Sequence, residues 1–480
     1  MKIYKPALIA LFLLPLSSCN IYKAYERPNI KTENNYRADS NLYRQDSVLS
    51  QTDSILNDTN HLGTLPWREV FTDTKLQNLI QQGLDSNFDL RIAFLRVQEY
   101  QARLSSARMA FTPSLNLSPS GGMAGTFESS HVSYTYQVPL VASWEIDIFG
   151  RLLNAKRGAQ ANLLQSQAAR QGVQTQIISS IATTYYALLM LDAQLAISEQ
   201  TVLNWEANVR TMQSLKLSGY TNEASISQAL ANSFSVKAGI PEIKRQIRET
   251  ENTLSLLIGL PGQPIDRGNI EEQRLPSQFS IGIPMQLFSA RPDVKQAEAS
   301  LMSAYAATNM ARAAFYPKLT LSANGSWLNN LGNQIFNPAQ FIWSALATLA
   351  QPLLNRGVNR ATLRVAKAQQ AEAMLSFQKT LLNAGNEVSN ALFKYQSADE
   401  KIKYRLSQVE NLERAVSYTQ SLLTLGSSTY LEVLTAQQAL LQAQLSQVNN
   451  NLEKMNAVIE LYRALGGGSN EAQPIAPKSK

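Results

Sequence analysis

Two segments of the chain alternate apolar and polar side chains, the pattern of a strand with one apolar and one polar face. The first runs from about 132 to 147 and the second from about 315 to 327. Their apolar positions include Tyr134, Tyr136, Val138, Leu140, Trp144, Leu319 and Leu321. Segments of this length can cross a bilayer as tilted strands. With less regular segments at about 111–120 and 340–352, we predict four strands and exposed loops at 121–130 and 329–339.

Long proline-free stretches follow the paired strands. Residues 140–240 and 353–473 contain no proline and are rich in Ala, Gln, Leu and Ser, which favour or tolerate helix. Apolar residues recur in the first stretch with three-four spacing, as in coiled coils: Ile178, Ile181, Tyr185, Leu188 and Leu195. These stretches therefore predict long helices that lie side by side in a bundle or tube.

Glycines give the helix ends. Gly219 and Gly426 suit helix C-termini, where a left-handed residue is needed. We predict one helix from near Leu152 to Leu217 and another from near Asn359 to Leu425, each about 100 Å long. Shorter helices are predicted at about 75–109 and 222–258.

The chain contains an internal duplication. Residues 110–118 resemble residues 314–322, with Ala-Phe-Thr-Pro in the first copy and Ala-Phe-Tyr-Pro in the second. Three further matches follow the same order with nearly the same offset. We predict repeat 1 at 67–262, a connector at 263–288 and repeat 2 at 289–468, each repeat reading helix, strand, strand, long helix, helix.

Four strands cannot close a barrel, and an open sheet edge in lipid would leave backbone groups unpaired. If the strands lie in a membrane, several copies must therefore share one barrel. A soluble sandwich would show a similar alternation, so the strands alone do not decide between the two.

The first residues have the layout of a bacterial lipoprotein signal. Residues 1–18 combine two lysines with an apolar run too short to span a bilayer, and they end at Cys19 in Leu-Ser-Ser-Cys. We predict a signal peptide at 1–18, a covalent lipid on Cys19, an extended tether over 19–66 and a flexible tail at 469–480. The alternatives are a buried stray cysteine or an ordinary cleaved signal. Asn20 after the cysteine favours delivery to the outer membrane by analogy.

Composition offers no support for catalysis or nucleic-acid binding. Cys19 is the only cysteine, and the two histidines, His61 and His131, have no partner at metal-ligand or triad spacing. The formal net charge is +7, but charged residues make up only 16% of the chain and form no Lys/Arg-rich run. We therefore predict no enzyme, no metal, no cofactor beyond the lipid, and a solvated rather than nucleic-acid-binding surface.

Several motifs resemble the TolC-type outer-membrane efflux factors, in particular their lipoprotein branch labelled NodT. Tyr25-Glu26-Arg27-Pro28 is similar to the motif after the lipobox, and Trp67 to Asp73 resembles the opening helix. Trp144 to Arg151 is similar to the strand-to-helix junction, and Gly426 to Gln437 resembles the second helical tip. The resemblance covers about Tyr25 to Gly466.

The resemblance implies a homotrimer that forms a twelve-stranded β-barrel in the outer membrane of a Gram-negative bacterium and a long α-helical tube in the periplasm. It also implies passive conduction, with energy supplied by an inner-membrane pump of the RND type through a periplasmic adaptor. It places tube closure and adaptor docking at the two tips, which contain Gly219, Tyr220, Gly426, Ser428, Thr429, Tyr430 and Glu432.

The second tip departs from the family in one position. Many relatives have an aspartate two residues after the tip glycine, where this chain has Ser428. Glu432 either replaces that carboxylate or completes a capping box with Thr429, and the spacing favours the capping box.

Three functions compete at this point. The favoured one is the exit duct of a tripartite RND-type efflux system for small molecules. The second is a similar duct for protein or peptide secretion, and the third is a periplasmic coiled-coil scaffold lipoprotein without a pore. The alternating segment at 132–147 argues against the scaffold, which needs no lipid-facing strands.

Overall fold

The structure is a computed structural model that describes residue 22 and residues 25–28, 65–126, 129–276, 290–329 and 341–468. The signal segment, Cys19, most of the tether and the tail at 469–480 lie outside the described residues, as do the predicted loop from 330 onward and the connector from 277. The chain divides into two compact units. The strand unit comprises 1–30, 96–167 and 296–378, and the helical unit comprises 31–95, 168–295 and 379–480.

Helices and strands follow one another in a repeated order. In the first half they are α1 (Trp67–Val70), α2 (Thr74–Ser86), α3 (Phe88–Met109), β1 (Ser114–Leu117), β2 (Ser120–Thr126), β3 (Ser129–Ile146), α4 (Arg151–Leu217) and α5 (Glu223–Leu257). After a short 3-10 helix at Ile270–Glu272 come α6 (Pro292–Ala313), β4 (Lys318–Asn329), β5 (Phe341–Ala350), α7 (Val358–Thr424) and α8 (Tyr430–Ala464).

The duplication is visible in the helix lengths. Helices α4 and α7 each contain 67 residues, and α5 and α8 each contain 35. The predicted long helices are confirmed, and their ends agree within one residue. Among the described helices, none combines the length and the hydropathy that a transmembrane helix requires.

The predicted helix at 75–109 is interrupted at Asn87. Its side-chain oxygen accepts from the backbone N–H groups of Asp89 (2.9 Å) and Leu90 (3.1 Å), which caps the start of α3. Its amide nitrogen donates to the carbonyl of Leu257 at 2.9 Å. Asn87 thus lies between α2 and α3, caps the start of α3 and binds the C-terminal end of α5.

All five strands form one antiparallel sheet in the order β1–β3–β4–β5, with β2 also paired to β3. Trp144 lies opposite Leu321, and Leu321 lies opposite Ala347. Because directly paired residues project from the same face, this register aligns the apolar positions of neighbouring strands. The sheet therefore has one continuous apolar face.

The prediction of a loop at 121–130 is wrong. Residues Ser120–Thr126 form β2, and β3 begins at Ser129. The ring of Tyr136 lies over Gly121, 3.6 Å from where a Cβ would stand. This cross-strand contact gives a glycine-rich segment the packing surface that its own side chains lack.

The strand predicted at about 111–120 is split into β1 and β2, which lie end to end along the same edge of β3. The ladder breaks beside Pro139, whose carbonyl accepts from the N–H of Ser118 at 3.2 Å. Proline has no N–H to donate in return. The sheet therefore has four strand positions, as predicted, and β1 and β2 together occupy one of them.

The helical unit has a large apolar core. Trp67 and Phe71, from the segment around α1, are almost fully buried with Ile80 of α2, Tyr185 of α4 and Tyr462 of α8. Residues from distant parts of the sequence thus share one core. Burying large aromatic side chains is among the strongest apolar contributions to stability.

An ion-pair cluster connects the segment after α5 to helices α4 and α5. Arg267 donates to both carboxylate oxygens of Asp192 at 2.5 and 2.9 Å and to Glu251 at 2.6 Å. The side chain of Arg267 is only 20% exposed. Bidentate pairing of this kind fixes both partners in orientation.

We expect Arg267→Gln to lower the stability of the protein by about 2 kcal/mol, because Asp192 and the largely buried Glu251 would lose their shared donor. Thermal unfolding in detergent, followed by far-ultraviolet circular dichroism, measures the change. Arg248→Gln is the control, since Arg248 is exposed on α5, and it should alter stability by less than about 0.5 kcal/mol. Equal melting temperatures for the two variants would contradict the role given to the cluster.

Candidate functional site

The apolar face of the sheet is exposed to an unusual degree. Of the residues predicted to face lipid, Tyr134, Tyr136, Leu140 and Trp144 are exposed, and Val138, Leu319 and Leu321 are half-buried. The register places all seven on the same face. A contiguous exposed apolar surface marks a protein or membrane contact.

Strand β5 adds apolar residues that the sequence pattern did not single out. Phe341, Trp343 and Leu349 lie on the apolar face, and Trp343 is 73% exposed. Ile342 and Leu346 lie on the opposite face and are also exposed. Apolar residues on both faces obscure the period-two alternation, which explains why this strand was less regular in sequence.

The junction from β3 to α4 is held by ionic and polar contacts. Glu145 receives two hydrogen bonds from Arg151, each 2.7 Å, and an ion pair from Lys318 at 2.9 Å. Asp147 accepts from the N–H of Leu153 at 2.7 Å, close to the start of α4. Gly150 has a φ of +71°, a conformation that side chains rarely adopt. The segment from Trp144 to Arg151 is therefore a turn from strand to helix whose conformation is fixed by these contacts.

The first tip is a helix C-terminus followed by a capped N-terminus. Gly219 has a φ of +79°, and the N–H of Tyr220 donates to the carbonyl of Leu215 at 3.0 Å, as in a Schellman motif. Asn222 then caps α5 by accepting from the N–H of Ser225 at 3.0 Å. Tyr220 is 75% exposed. The predicted use of Gly219 as a helix end is confirmed.

The second tip repeats this turn. Gly426 has a φ of +72°, and the N–H of Ser427 donates to the carbonyl of Leu422 at 2.9 Å. The carboxylate of Glu432 accepts from the hydroxyl of Ser428 at 2.6 Å and from that of Thr429 at 3.2 Å. The tip thus contains a carboxylate next to Ser428, although the residue that supplies it lies in the first turn of α8.

The threonine half of the predicted capping box does not form. The Thr429 hydroxyl makes no cap hydrogen bond to the helix backbone. It donates to Glu432 instead, as Ser428 does. Hydrogen bonds from Ser428 and then Thr429 lower the pKa of Glu432. The carboxylate therefore stays ionised to a lower pH than an isolated glutamate.

Tyr430 was predicted to lie at the tip for closure or docking, and its burial contradicts that role for the side chain. It is 6% exposed and belongs to a small apolar cluster with Trp205 and Met212 of α4 and Ile226 of α5. Burial raises the pKa of its hydroxyl to about 12. The residue holds the helices of the tip together and offers no side chain to a partner.

Within the described residues, no group of three or more His, Cys, Asp or Glu side chains could hold a metal ion. Cys19, the predicted lipid site, and His61 lie outside the described residues. The features that remain are an exposed apolar sheet face, an opposite face that is largely polar on β3 and β4 but apolar at Ile342 and Leu346 of β5, and two turns between helices.

Comparison with known proteins agrees with these features. The family model for the outer membrane efflux protein matches residues 79–260 and 283–467. The cation efflux system protein CusC of Escherichia coli K12 is 28% identical over 461 residues, which cover 95% of this chain and 97% of CusC. A crystal structure of CusC, 29% identical to the chain, has a TM-score of 0.78 and covers 85% of this chain and 96% of that chain.

Two further relatives have different names and similar coverage. The probable outer membrane lipoprotein SilC of Salmonella typhimurium is 28% identical over 84% of this chain and 88% of SilC. The solvent efflux pump outer membrane protein SrpC of Pseudomonas putida is 29% identical over 85% of this chain and 88% of SrpC.

The second tip should loosen at acid pH. Because the folded pKa of Glu432 lies below its ordinary value of 4.5, the contribution of this carboxylate is present above that value and is lost as the pH falls through the folded pKa. We expect amide hydrogen exchange in the first turn of α8, corrected for intrinsic rates, to be unchanged between pH 7 and about 5 and faster below about 4.5.

Glu432→Ala should show the faster exchange already at pH 7. Glu413→Ala is the matched control, because Glu413 is an exposed carboxylate within α7 and away from the turn. Identical exchange in the wild type and Glu432→Ala at pH 7 would show that the carboxylate does not order the tip.

Proposed function

The chain belongs to the outer membrane efflux protein family, and we propose that it forms the exit duct of a tripartite RND-type efflux system. In this role it conducts small molecules passively across the outer membrane, and an inner-membrane pump supplies the energy through a periplasmic adaptor. No step of this function requires bond making or breaking by the protein.

The apolar sheet face is the observation that supports the proposal most directly. A surface that presents Tyr134, Trp144 and Trp343 together is suited to hydrocarbon and to the membrane interface. The opposite face presents Thr135, Gln137, Ser143 and the polar residues of β4, which suit an aqueous bore. A periplasmic scaffold without a pore has no use for such a sheet.

The sheet also supports a trimer. Among the described strands, β5 pairs only with β4, and β1 and β2 pair only with β3, so both edges of the four-position sheet are open. Three copies joined edge to edge give twelve positions, within the range of known outer-membrane barrels.

The lipid anchor belongs to the same proposal. Cys19 would be acylated after removal of residues 1–18 and would hold the N-terminus at the outer membrane. The name of SilC, a probable outer membrane lipoprotein, supports this assignment. Two or more acyl chains on one residue make such an anchor effectively permanent.

The two tips are the proposed docking ends for the adaptor. Leu217, Tyr220 and Leu425 are strongly exposed there, at 92%, 75% and 76%, while Tyr430 is internal. Gly219, Gly426, Ser428, Thr429 and Glu432 form the turns that present them.

Different cargoes appear in the names of the relatives: cations for CusC and solvent for SrpC. Proteins of one family with nearly full-length similarity thus serve chemically unlike molecules. This supports a duct whose cargo is selected by the pump, and it favours efflux over the alternative of protein or peptide secretion.

Detergent-purified protein should have the protein mass of three copies and should form ion-conducting channels in planar bilayers. Static light scattering and single-channel recording measure the two properties. A water-soluble monomer without channel activity would exclude the duct in both its efflux and its secretion form.

The orientation of the sheet is tested by two adjacent residues on opposite faces of β4. A fluorophore attached through Leu319→Cys should be quenched by nitroxide-labelled lipid, and one attached through Thr320→Cys should be quenched by aqueous iodide. Cys19 is the chain's only native cysteine and would be blocked by acylation. Equal lipid quenching at the two positions would disprove the assignment of the faces.

A further inference from the structure

The first described residues of the tether pack against the helices of the strand unit. Tyr22 is 6% exposed, and its ring lies 3.6 Å from where a Cβ of Gly150 would stand. Tyr25 meets Tyr305 of α6 edge to face, with the ring centroids 6.0 Å apart. These aromatic contacts hold the segment beside the start of α4 and the second half of α6, all within one compact unit.

A cavity of about 200 Å³ opens between this segment, α4 and α6. Its walls combine apolar side chains, such as Met302 and Tyr305, with the polar side chains of Tyr25, Asn154 and Arg157. A single ordered water needs only about 10–15 Å³ of such space. The cavity is therefore large enough for a polar ligand with several non-hydrogen atoms.

Two polar atoms of these walls are buried without a hydrogen-bond partner in the described part of the chain, the Oδ1 atom of Asn154 and the hydroxyl of Tyr25. Asn154 is 1% exposed, and its Nδ2 atom donates to the carbonyl of Gly150 at 2.7 Å. This bond fixes the orientation of the amide and leaves Oδ1 as an acceptor. Buried polar atoms of folded proteins nearly always have a partner. The buried end of the cavity therefore lacks a donor, which a ligand would supply.

The exposed end of the cavity has a cation. Arg157 lies one turn after Asn154 on α4 and is exposed. Among the described residues that line the cavity, it is the only charged one, and it forms no ion pair with another described residue. A guanidinium with free donors is suited to a phosphate group. The cavity thus offers a buried acceptor and, about one helical turn away, a cation for an anionic group.

The carboxylates nearest to the cavity are already engaged. Glu298 of α6 pairs with Arg27 at 3.4 Å, and Asp147 accepts from a backbone N–H in the first turn of α4 at 2.7 Å. Arg312 donates to the cavity residue Asn309 at 3.2 Å, which places a second positive charge behind the wall. An anionic group at the mouth of the cavity is therefore not opposed by a free carboxylate of the lining.

These groups follow the order of atoms in an ethanolamine phospholipid. Its headgroup ends in an ammonium with three N–H donors, followed by a phosphate and then by the glycerol and the acyl chains. An ammonium at Oδ1 of Asn154 supplies the missing donor, and the phosphate then lies toward the exposed Arg157. A choline headgroup has no N–H and leaves Oδ1 unpaired. The arrangement therefore distinguishes between two common zwitterionic lipids.

The cavity lies close to the end of the sheet. Strand β3 ends at Ile146 and α4 begins at Arg151, so Asn154 lies only about 5 Å along the helix axis. At most about 10 Å of extended chain separates the proposed lipid site, Cys19, from Tyr22. If the sheet spans the hydrocarbon, the headgroups of the periplasmic leaflet border this end of the sheet.

We propose that the cavity binds the headgroup of phosphatidylethanolamine from the periplasmic leaflet, one molecule per copy of the chain. The ammonium donates to Oδ1 of Asn154, the phosphate binds Arg157, and the hydroxyl of Tyr25 donates to the phosphate. The inference rests on the proposed function, because only a duct inserted in the membrane brings a leaflet to this level. A lipid held here connects the tether, α4 and α6 to the membrane.

Native mass spectrometry of the full-length protein tests the proposal. The protein is released from dodecyl maltoside micelles that contain equal amounts of phosphatidylethanolamine and phosphatidylcholine. The ethanolamine lipid should be bound at one molecule per copy, with an occupancy about tenfold above that of the choline lipid, because the latter leaves a buried acceptor unpaired. Arg157→Gln should lower the affinity for the ethanolamine lipid by about tenfold, through loss of a charge-assisted hydrogen bond.

Lys156→Gln is the matched control, since it removes the adjacent positive charge of α4 from a side chain that does not line the cavity, and it should retain the lipid. Tyr25→Phe keeps the ring beside Tyr305, removes only the hydroxyl and should weaken binding. Equal occupancy by the two lipids, or unchanged binding in both Arg157→Gln and Tyr25→Phe, would overturn the inference.

Soluble glycerophosphoethanolamine distinguishes a membrane lipid from a free phosphate ester. It should compete only weakly, because it lacks the acyl chains that keep the lipid in the micelle. Competition as strong as that of the lipid itself would overturn the assignment to the leaflet. Conducting trimers that bind no lipid would overturn this inference alone, whereas a monomer without conductance would count against the proposed function.

Discussion

The structure depends on the backbone hydrogen bonds at the two edges of its sheet. Water cannot satisfy those groups inside a bilayer, and each unpaired N–H or C=O there costs several kcal/mol. Strand β5 has one paired neighbour among the described strands, and the edge formed by β1 and β2 has one as well. A single copy in the membrane would therefore be unstable, and assembly of copies is coupled to insertion. The apolar face and the oligomer are two consequences of the same constraint.

The duplication gives the two repeats helices of matched length. Helices α4 and α7 have the same number of residues, and so do α5 and α8. Equal helix lengths give equal rise in the two repeats. An insertion in one of these helices alone would break this match.

Much of this architecture was predictable because it follows from local patterns. Period-two alternation identified β3 and β4, and glycines with positive φ marked the ends of α4 and α7. The remaining features depend on contacts between distant residues. The glycine-rich β2 is a strand because Tyr136 covers Gly121, and Tyr430 is buried because α4 and α5 pack around it.

The charged groups of the second tip and of the sheet bear on how a passive duct works. At the second tip the ionised group is Glu432, which Ser428 and Thr429 hold in place, so replacing the usual aspartate by Ser428 does not remove negative charge from the turn. On the sheet, the carboxylates of Glu145 and Asp147 lie beside the cations of Arg151 and Lys318, so opposite charges balance there. A balanced cluster holds neither cations nor anions strongly. Conduction requires that binding be weak enough for release at every site. Balanced charges on the sheet meet this requirement.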